Sequence, residues 1–171
     1  MNTRSLRTAL LASASLAVIA GTAGTAQAQA FFERVATYPV FENLPEDTDP
    51  ATETVAEIVA ATADGMTLVY TDGENEALGM VDISDVAAPA GLGEIGLGGE
   101  PTSVAVVEGV ALAGVNTSES FTDPSGHVVV VDIAERGIVE TCDVGGQPDS
   151  VAVSSDGAYL AIAIENERDE D

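Results

Sequence analysis

The chain has 171 residues, with 5 Lys+Arg against 29 Asp+Glu, a formal charge of −24 and an isoelectric point near 4.1. All five basic residues are arginine. Two of them and no acid precede residue 31, so 31–171 carries 3 basic and 29 acidic groups, a balance of −26. That excludes nucleic acid and anionic membrane as partners, since both need a basic surface; a 46% hydrophobic content excludes a wholly disordered acidic chain; and a single cysteine excludes an intrachain disulfide framework or a Cys-rich zinc module.

Residues 1–30 read as a secretory signal. Arg4 and Arg7 form a positive start, and Ala9 to Ala20 is an apolar core too short to span a bilayer. Ala26-Gln27-Ala28 and Ala28-Gln29-Ala30 offer overlapping small-x-small cleavage sites. Cleavage is expected after Ala30, with Ala28 as second choice. No later apolar run reaches ~18 residues, so no membrane insertion is expected. The alanine-rich style is bacterial, which predicts a periplasmic or extracellular protein.

Residues 31–52 form an N-terminal segment in which Phe32 to Phe41 alternates loosely in apolar character and is expected to supply a ring-closing strand. From residue 53 the chain repeats. Short apolar runs rich in Val, Ile and Thr favour strands, and they fall in a fixed order. The first runs are Glu57 to Thr62, Met66 to Thr71, Leu78 to Ile83 and Gly93 to Leu97. The next four are Ser103 to Val107, Val110 to Val115, His127 to Ile133 and Gly137 to Val144. The last two are Ser150 to Ser154 and Tyr159 to Ile164. Asp64-Gly65, Glu108-Gly109 and Asp156-Gly157 separate the first two runs of each unit, and Asp-Gly between apolar runs is a hairpin signal.

The repeat is explicit in sequence. Gly98-Gly99-Glu100-Pro101-Thr102-Ser103-Val104-Ala105-Val106 returns as Gly145-Gly146-Gln147-Pro148-Asp149-Ser150-Val151-Ala152-Val153, with seven of nine positions matching at an offset of 47. Val59 to Gly65 aligns with Val151 to Gly157 at an offset of 92, about two repeats. Four strands per unit of about 45 residues describes a propeller blade. The expected fold is all-β, a partial β-propeller of about two and a half blades at about 53–99, 100–146 and 147–171. A β-sandwich of short strands is the competing architecture.

The unit from Gly145 to Ala163 resembles the YVTN-type propeller repeat of secreted bacterial seven-bladed proteins. More narrowly, Ala60 to Asp72, Val115 to Phe121 and Ala161 to Asp171 resemble the choice-of-anchor I family of secreted propellers. That family includes the mesenchyme-specific cell-surface glycoprotein, and its bacterial members are often labelled alkaline phosphatase. The resemblance covers about 31–171 and implies that further blades of the same protein complete the ring.

The loops after each second strand, with those between blades, are expected to share one face. They carry Asp72, Glu119, Glu165, Glu167 and Asp169, with Glu74, Asp123, Glu100 and Asp149 nearby. Clustered oxygens suit Ca²⁺, which takes 6–8 such ligands; the competing reading is a solvated acidic rim, because no D-x-D-x-D-G loop is present. Asp82 and Asp132 recur after the third strand and are expected to cap the following turn. His127 stands alone, Cys142 has an acidic neighbour, and no serine sits in a G-x-S-x-G elbow. No catalytic residue is assigned. The expected function is an exported binding or scaffold module for a cation or extracellular ligand. The alternative is part of a calcium-dependent phosphoesterase, for which the absence of lysine leaves only Arg168 on the expected face to meet a phosphate.

Overall fold

Period-two alternation and turn-forming dipeptides convert the repeat into ten antiparallel strands in the computed structural model, which describes residues 33–49 and 51–165. Blade one is β1 (Ala56–Ala61), β2 (Thr67–Asp72), β3 (Ala77–Asp82) and β4 (Ala90–Gly96), hydrogen-bonded in that order. Blade two is β5 (Glu100–Val107), β6 (Val110–Asn116), β7 (Gly126–Asp132) and β8 (Gly137–Asp143), again in chain order. A two-stranded sheet follows, β9 (Gln147–Val153) with β10 (Leu160–Glu165). There is no α-helix among the described residues. The fold is therefore nearly all-β, in consecutive meanders with the plan of partial propeller blades.

The hairpins between first and second strands show why the sequence repeats. In blade one the Thr62 hydroxyl donates to Asp64 Oδ1 at 2.6 Å and accepts Thr67 N–H. Asp64 Oδ1 also accepts Met66 N–H. In the last sheet Ser154 and Asp156 repeat these bonds, the latter accepting Ala158 N–H. Gly65 and Gly157 take φ of 69° and 71°, where a Cβ would be strained. These local bonds hold the Asp64 and Asp156 carboxyls below the usual range, the side-chain hydroxyl contributing most. Asp82 and Asp132 cap their turns as expected, accepting Ser84 and Glu135 N–H at 2.8 Å each.

The core lies between the sheets. Val69, Leu78 and Met80 of blade one, with Leu97, meet Val104, Ala111, Ala113, Val115, Val129 and Val131 of blade two. Each fully buried aliphatic side chain is worth about 1.5–3 kcal/mol against exposure. Blade two packs its other face on β9, where hydroxyls of the repeated motif stitch the sheets: Thr102 donates to the Pro148 carbonyl at 2.7 Å, and Ser103 Oγ accepts Val151 N–H at 3.2 Å. Pro101 and Pro148 are fully buried at the strand entries.

Two of the expected features concern the ends. The stretch read as a ring-closing strand forms no ladder among the described residues: 33–39 is irregular, and Val40–Asn43 is a 3-10 helix. This strap lies on the outer strands of blade one. The secretory signal read over 1–30 lies outside the described residues.

Candidate functional site

The loops at 73–76, 97–99, 117–125 and 144–146 stand at one end of the ladders, as their strand pairings require. Among the described residues, the rim brings no three candidate ligands together. Asp72 is fully buried. Its Oδ1 accepts the N–H groups of Val55 (3.1 Å) and Asn75 (3.3 Å), and its Oδ2 accepts the Asn75 amide (3.0 Å). Both carboxylate oxygens are thus occupied in closing the β2–β3 loop and holding the lead-in to β1. Glu119 is exposed in the β6–β7 loop, and Glu165 is exposed at the end of β10. Glu167 and Asp169 lie outside the described residues.

Other rim groups are also spent locally. Asn116 Oδ1 accepts Ser118 N–H, and the Ser118 hydroxyl bridges both backbone groups of Ser125. Two carboxylates flank Gly73: Glu100 Oε1 and Glu57 Oε2 stand 3.9 and 4.0 Å from the position a β-carbon there would take. Among the described residues no group of three or more His, Cys, Asp or Glu side chains is placed to hold a metal ion.

The concavity that stands out is elsewhere, on the face of blade one turned away from blade two. It measures about 450 Å³ and lies between β1–β2 and the strap. Ile58, Val59, Leu68 and Val81 form one wall, and Val35, Tyr38 and Val40 the other. The lining is apolar, and Val35 and Val59 are more than half exposed.

The strap is fastened by one buried side chain. Asn43 Nδ2 donates to the Met80 carbonyl at 2.8 Å, to the Gly93 carbonyl at 3.1 Å and to the Tyr70 hydroxyl at 3.0 Å. Its Oδ1 accepts Gly93 N–H at 2.7 Å. The Tyr70 hydroxyl in turn donates to Glu94 Oε1 at 3.0 Å. Burial pushes the Glu94 carboxyl above the usual range, and the nearby Asp72 charge adds to it. Burial likewise pushes the Tyr70 phenol well up, with the Glu94 charge acting in the same sense. Sequence reasoning missed this network. Its partners lie up to 50 residues apart, and no local pattern around Asn43 points to them.

A second hollow of about 650 Å³ lies at the opposite end, lined by Asp64, Thr67, Leu92, Ile133 and Arg136 among others. There Arg136 Nη1 donates to the Leu92 carbonyl at 2.9 Å, tying the β7–β8 turn to blade one.

Stacked antiparallel sheets, carboxylates tied up in their own turns and an apolar open face define a repeat-built β scaffold. The sequence model of the choice-of-anchor I domain matches residues 57–171, and the chain belongs to that family, which marks it as a surface or extracellular module. No curated protein matches it in sequence. Among solved structures, hydrazine synthase of Kuenenia stuttgartiensis is similar at 21% identity and a TM-score of 0.55, over 65% of this chain. A functionally unknown protein of Desulfotomaculum acetoxidans is 12% identical over 61% of this chain, with a TM-score of 0.49. This chain spans 30% and 31% of those two chains. At such identity the likeness to hydrazine synthase speaks for the fold alone.

Proposed function

We propose that the mature chain is an exported scaffold module that binds through its surfaces and carries out no reaction of its own. The observation that supports this is the state of the carboxylates. Asp64, Asp72, Asp82, Asp132, Asp143 and Asp156 each accept backbone N–H groups of their own turns or lead-in segments. Groups so engaged build loops and are poorly placed to move protons or hold a substrate. Export rests on the leader at 1–30. Further blades of the same repeat are the natural continuation of sheets stacked in this way.

The calcium reading of the rim belongs to the same proposal. It draws on Glu119, Glu165, Glu167 and Asp169, because Asp72 is already occupied. One experiment covers both parts: phosphate release from a chromogenic ester, and the melting temperature, each followed with added Ca²⁺ and with chelator. The scaffold reading expects no turnover. Phosphate release abolished by chelator would replace it with the phosphoesterase. A melting temperature raised by Ca²⁺ supports a rim site; an unchanged one removes it.

A further inference from the structure

We infer that the hollow between blades one and two, at the end opposite the rim, binds a small zwitterion with an aliphatic body, a free α-amino acid of the leucine type, its carboxylate on Arg136 and its ammonium toward Asp64. The inference goes beyond the scaffold reading and does not depend on calcium. Every residue lining the hollow belongs to blade one or blade two, and both are complete four-stranded sheets.

The first support is a fixed cation. Residues 31–171 hold three arginines and no lysine. Arg136 sits in the β7–β8 turn at φ 53°, just after the Glu135 N–H that Asp132 caps. Its Nη1 is spent on the Leu92 carbonyl at 2.9 Å, which anchors the guanidinium across the blade interface. Arg136 forms no ion pair among the described residues, although the chain has 29 acidic groups. A guanidinium carries five N–H donors in a planar fork, so an anchored one still offers donors to a carboxylate.

The second support is a fixed anion in the same hollow. Asp64 lines it from the β1–β2 turn. Its Oδ1 is spent on the Thr62 hydroxyl and Met66 N–H, and these bonds keep the carboxyl charged at neutral pH. It therefore acts on a ligand through its charge and not as a proton carrier. The two charges face one cavity without pairing, each held by the bonds of its own turn. Opposite charges preorganised in this way suit a dipolar ligand and lose little freedom when it binds.

The third support is the rest of the lining. Leu92 and Ile133 pack on the core with one side and line the hollow with the other, beside Ala63 and Ala134. The volume of about 650 Å³ lies within the roughly 300–1,000 Å³ of small-ligand sites. Charge then decides between ligand classes. A simple carboxylate meets Arg136 but is repelled by Asp64 and by the balance of −26 over residues 31–171. A simple amine gains from that field but meets the like charge of Arg136. A zwitterion satisfies both groups, and an aliphatic side chain covers Leu92 and Ile133.

Titration of the mature chain with L-leucine, followed by calorimetry and by the backbone amide signals of Leu92 and Arg136, tests this. Saturable binding is expected. Removing the ammonium (4-methylpentanoate) or the carboxylate (3-methylbutylamine) is expected to weaken it about tenfold or more, as the loss of one charge-assisted contact requires. Arg136→Gln is expected to weaken leucine and 4-methylpentanoate alike. Asp64→Asn keeps the acceptor of the turn and is expected to weaken leucine alone. Both residues are exposed in turns, so both variants keep the fold. No saturable binding up to about 10 mM leucine overturns the proposal. Binding left unchanged by both variants overturns the assignment to this hollow, and 4-methylpentanoate binding as tightly as leucine overturns the zwitterion.

Discussion

Tyr70 and Gly79 are cross-strand partners, and the tyrosine ring fills the space that any side chain at position 79 would need. The equivalent pair in blade two is Ala113 with Val129. Large-beside-none in one blade becomes small-beside-medium in the next, so the two sheets keep a similar combined bulk by different means. A side chain at 79 meets a buried ring already tied to Asn43 and Glu94. Gly79→Ala is expected to cost about 1–3 kcal/mol by overpacking. The paired change Tyr70→Ala with Gly79→Val should cost less than the sum of its two single changes, which a double-mutant cycle of urea midpoints will read.

Asn43 supports the strap with both ends of one amide. Asn43→Leu keeps the bulk and leaves Gly93 N–H and the Met80 carbonyl without partners. Each buried polar group so orphaned costs about 1–3 kcal/mol. The expected result is a clear loss of stability, with early hydrogen exchange at Gly93 in β4 and little change in blade two.

Two opposed pH effects are built in. Asp64, Asp82 and Asp156 have lowered carboxyl pKa values. Their contribution is full above the ordinary aspartate value near 3.8 and is lost as pH falls through the lower folded values. Glu94 is raised, so its contribution has the other sign: present below the ordinary value of 4.5 and lost as pH rises through the folded value. Melting temperatures of wild type and Glu94→Gln should therefore diverge as pH rises above 4.5, with the variant gaining. Glutamine keeps an acceptor for Tyr70 and removes the half-buried charge. Parallel curves would refute the assignment to Glu94.

The β5–β6 hairpin turns on Glu108 and Gly109, both at positive φ, 48° and 87°. Two-residue turns of this hand favour Asn-Gly, because asparagine tolerates the left-handed region better than glutamate. Glu108→Asn should raise stability by a few tenths to ~1 kcal/mol, and Glu108→Val should lower it. Thermal melts of the two variants will order them.

Most strands and hairpins were legible because the repeat states the same instruction more than once. The Thr62–Asp64 and Ser154–Asp156 turns align at an offset of 92 and form the same bonds. The capping roles of Asp82 and Asp132 followed from recurrence in the same way. What could not be read rests on contacts that occur once. The alternation around Phe41 resembled a strand, yet Asn43 finds its partners at Met80 and Gly93, and no local pattern announces so distant a bond. Asp72 looked like a free rim carboxylate. The Asp-x-x-Asn spacing to Asn75 was the available clue that it closes its own loop.

The stitching of the two blades differs in one further respect. Blade two is a meander whose strands are joined by consecutive turns, and its tie to β9 comes from the motif hydroxyls. Blade one is also locked by an amide that reaches 50 residues back along the chain. Closing that loop costs more chain entropy than closing any of its hairpins. The two sheets, alike in plan, therefore differ in how local their assembly is: β5–β8 can zip from its turns, whereas β1–β4 reaches its final rigidity only when the segment before it has come back to meet Gly93.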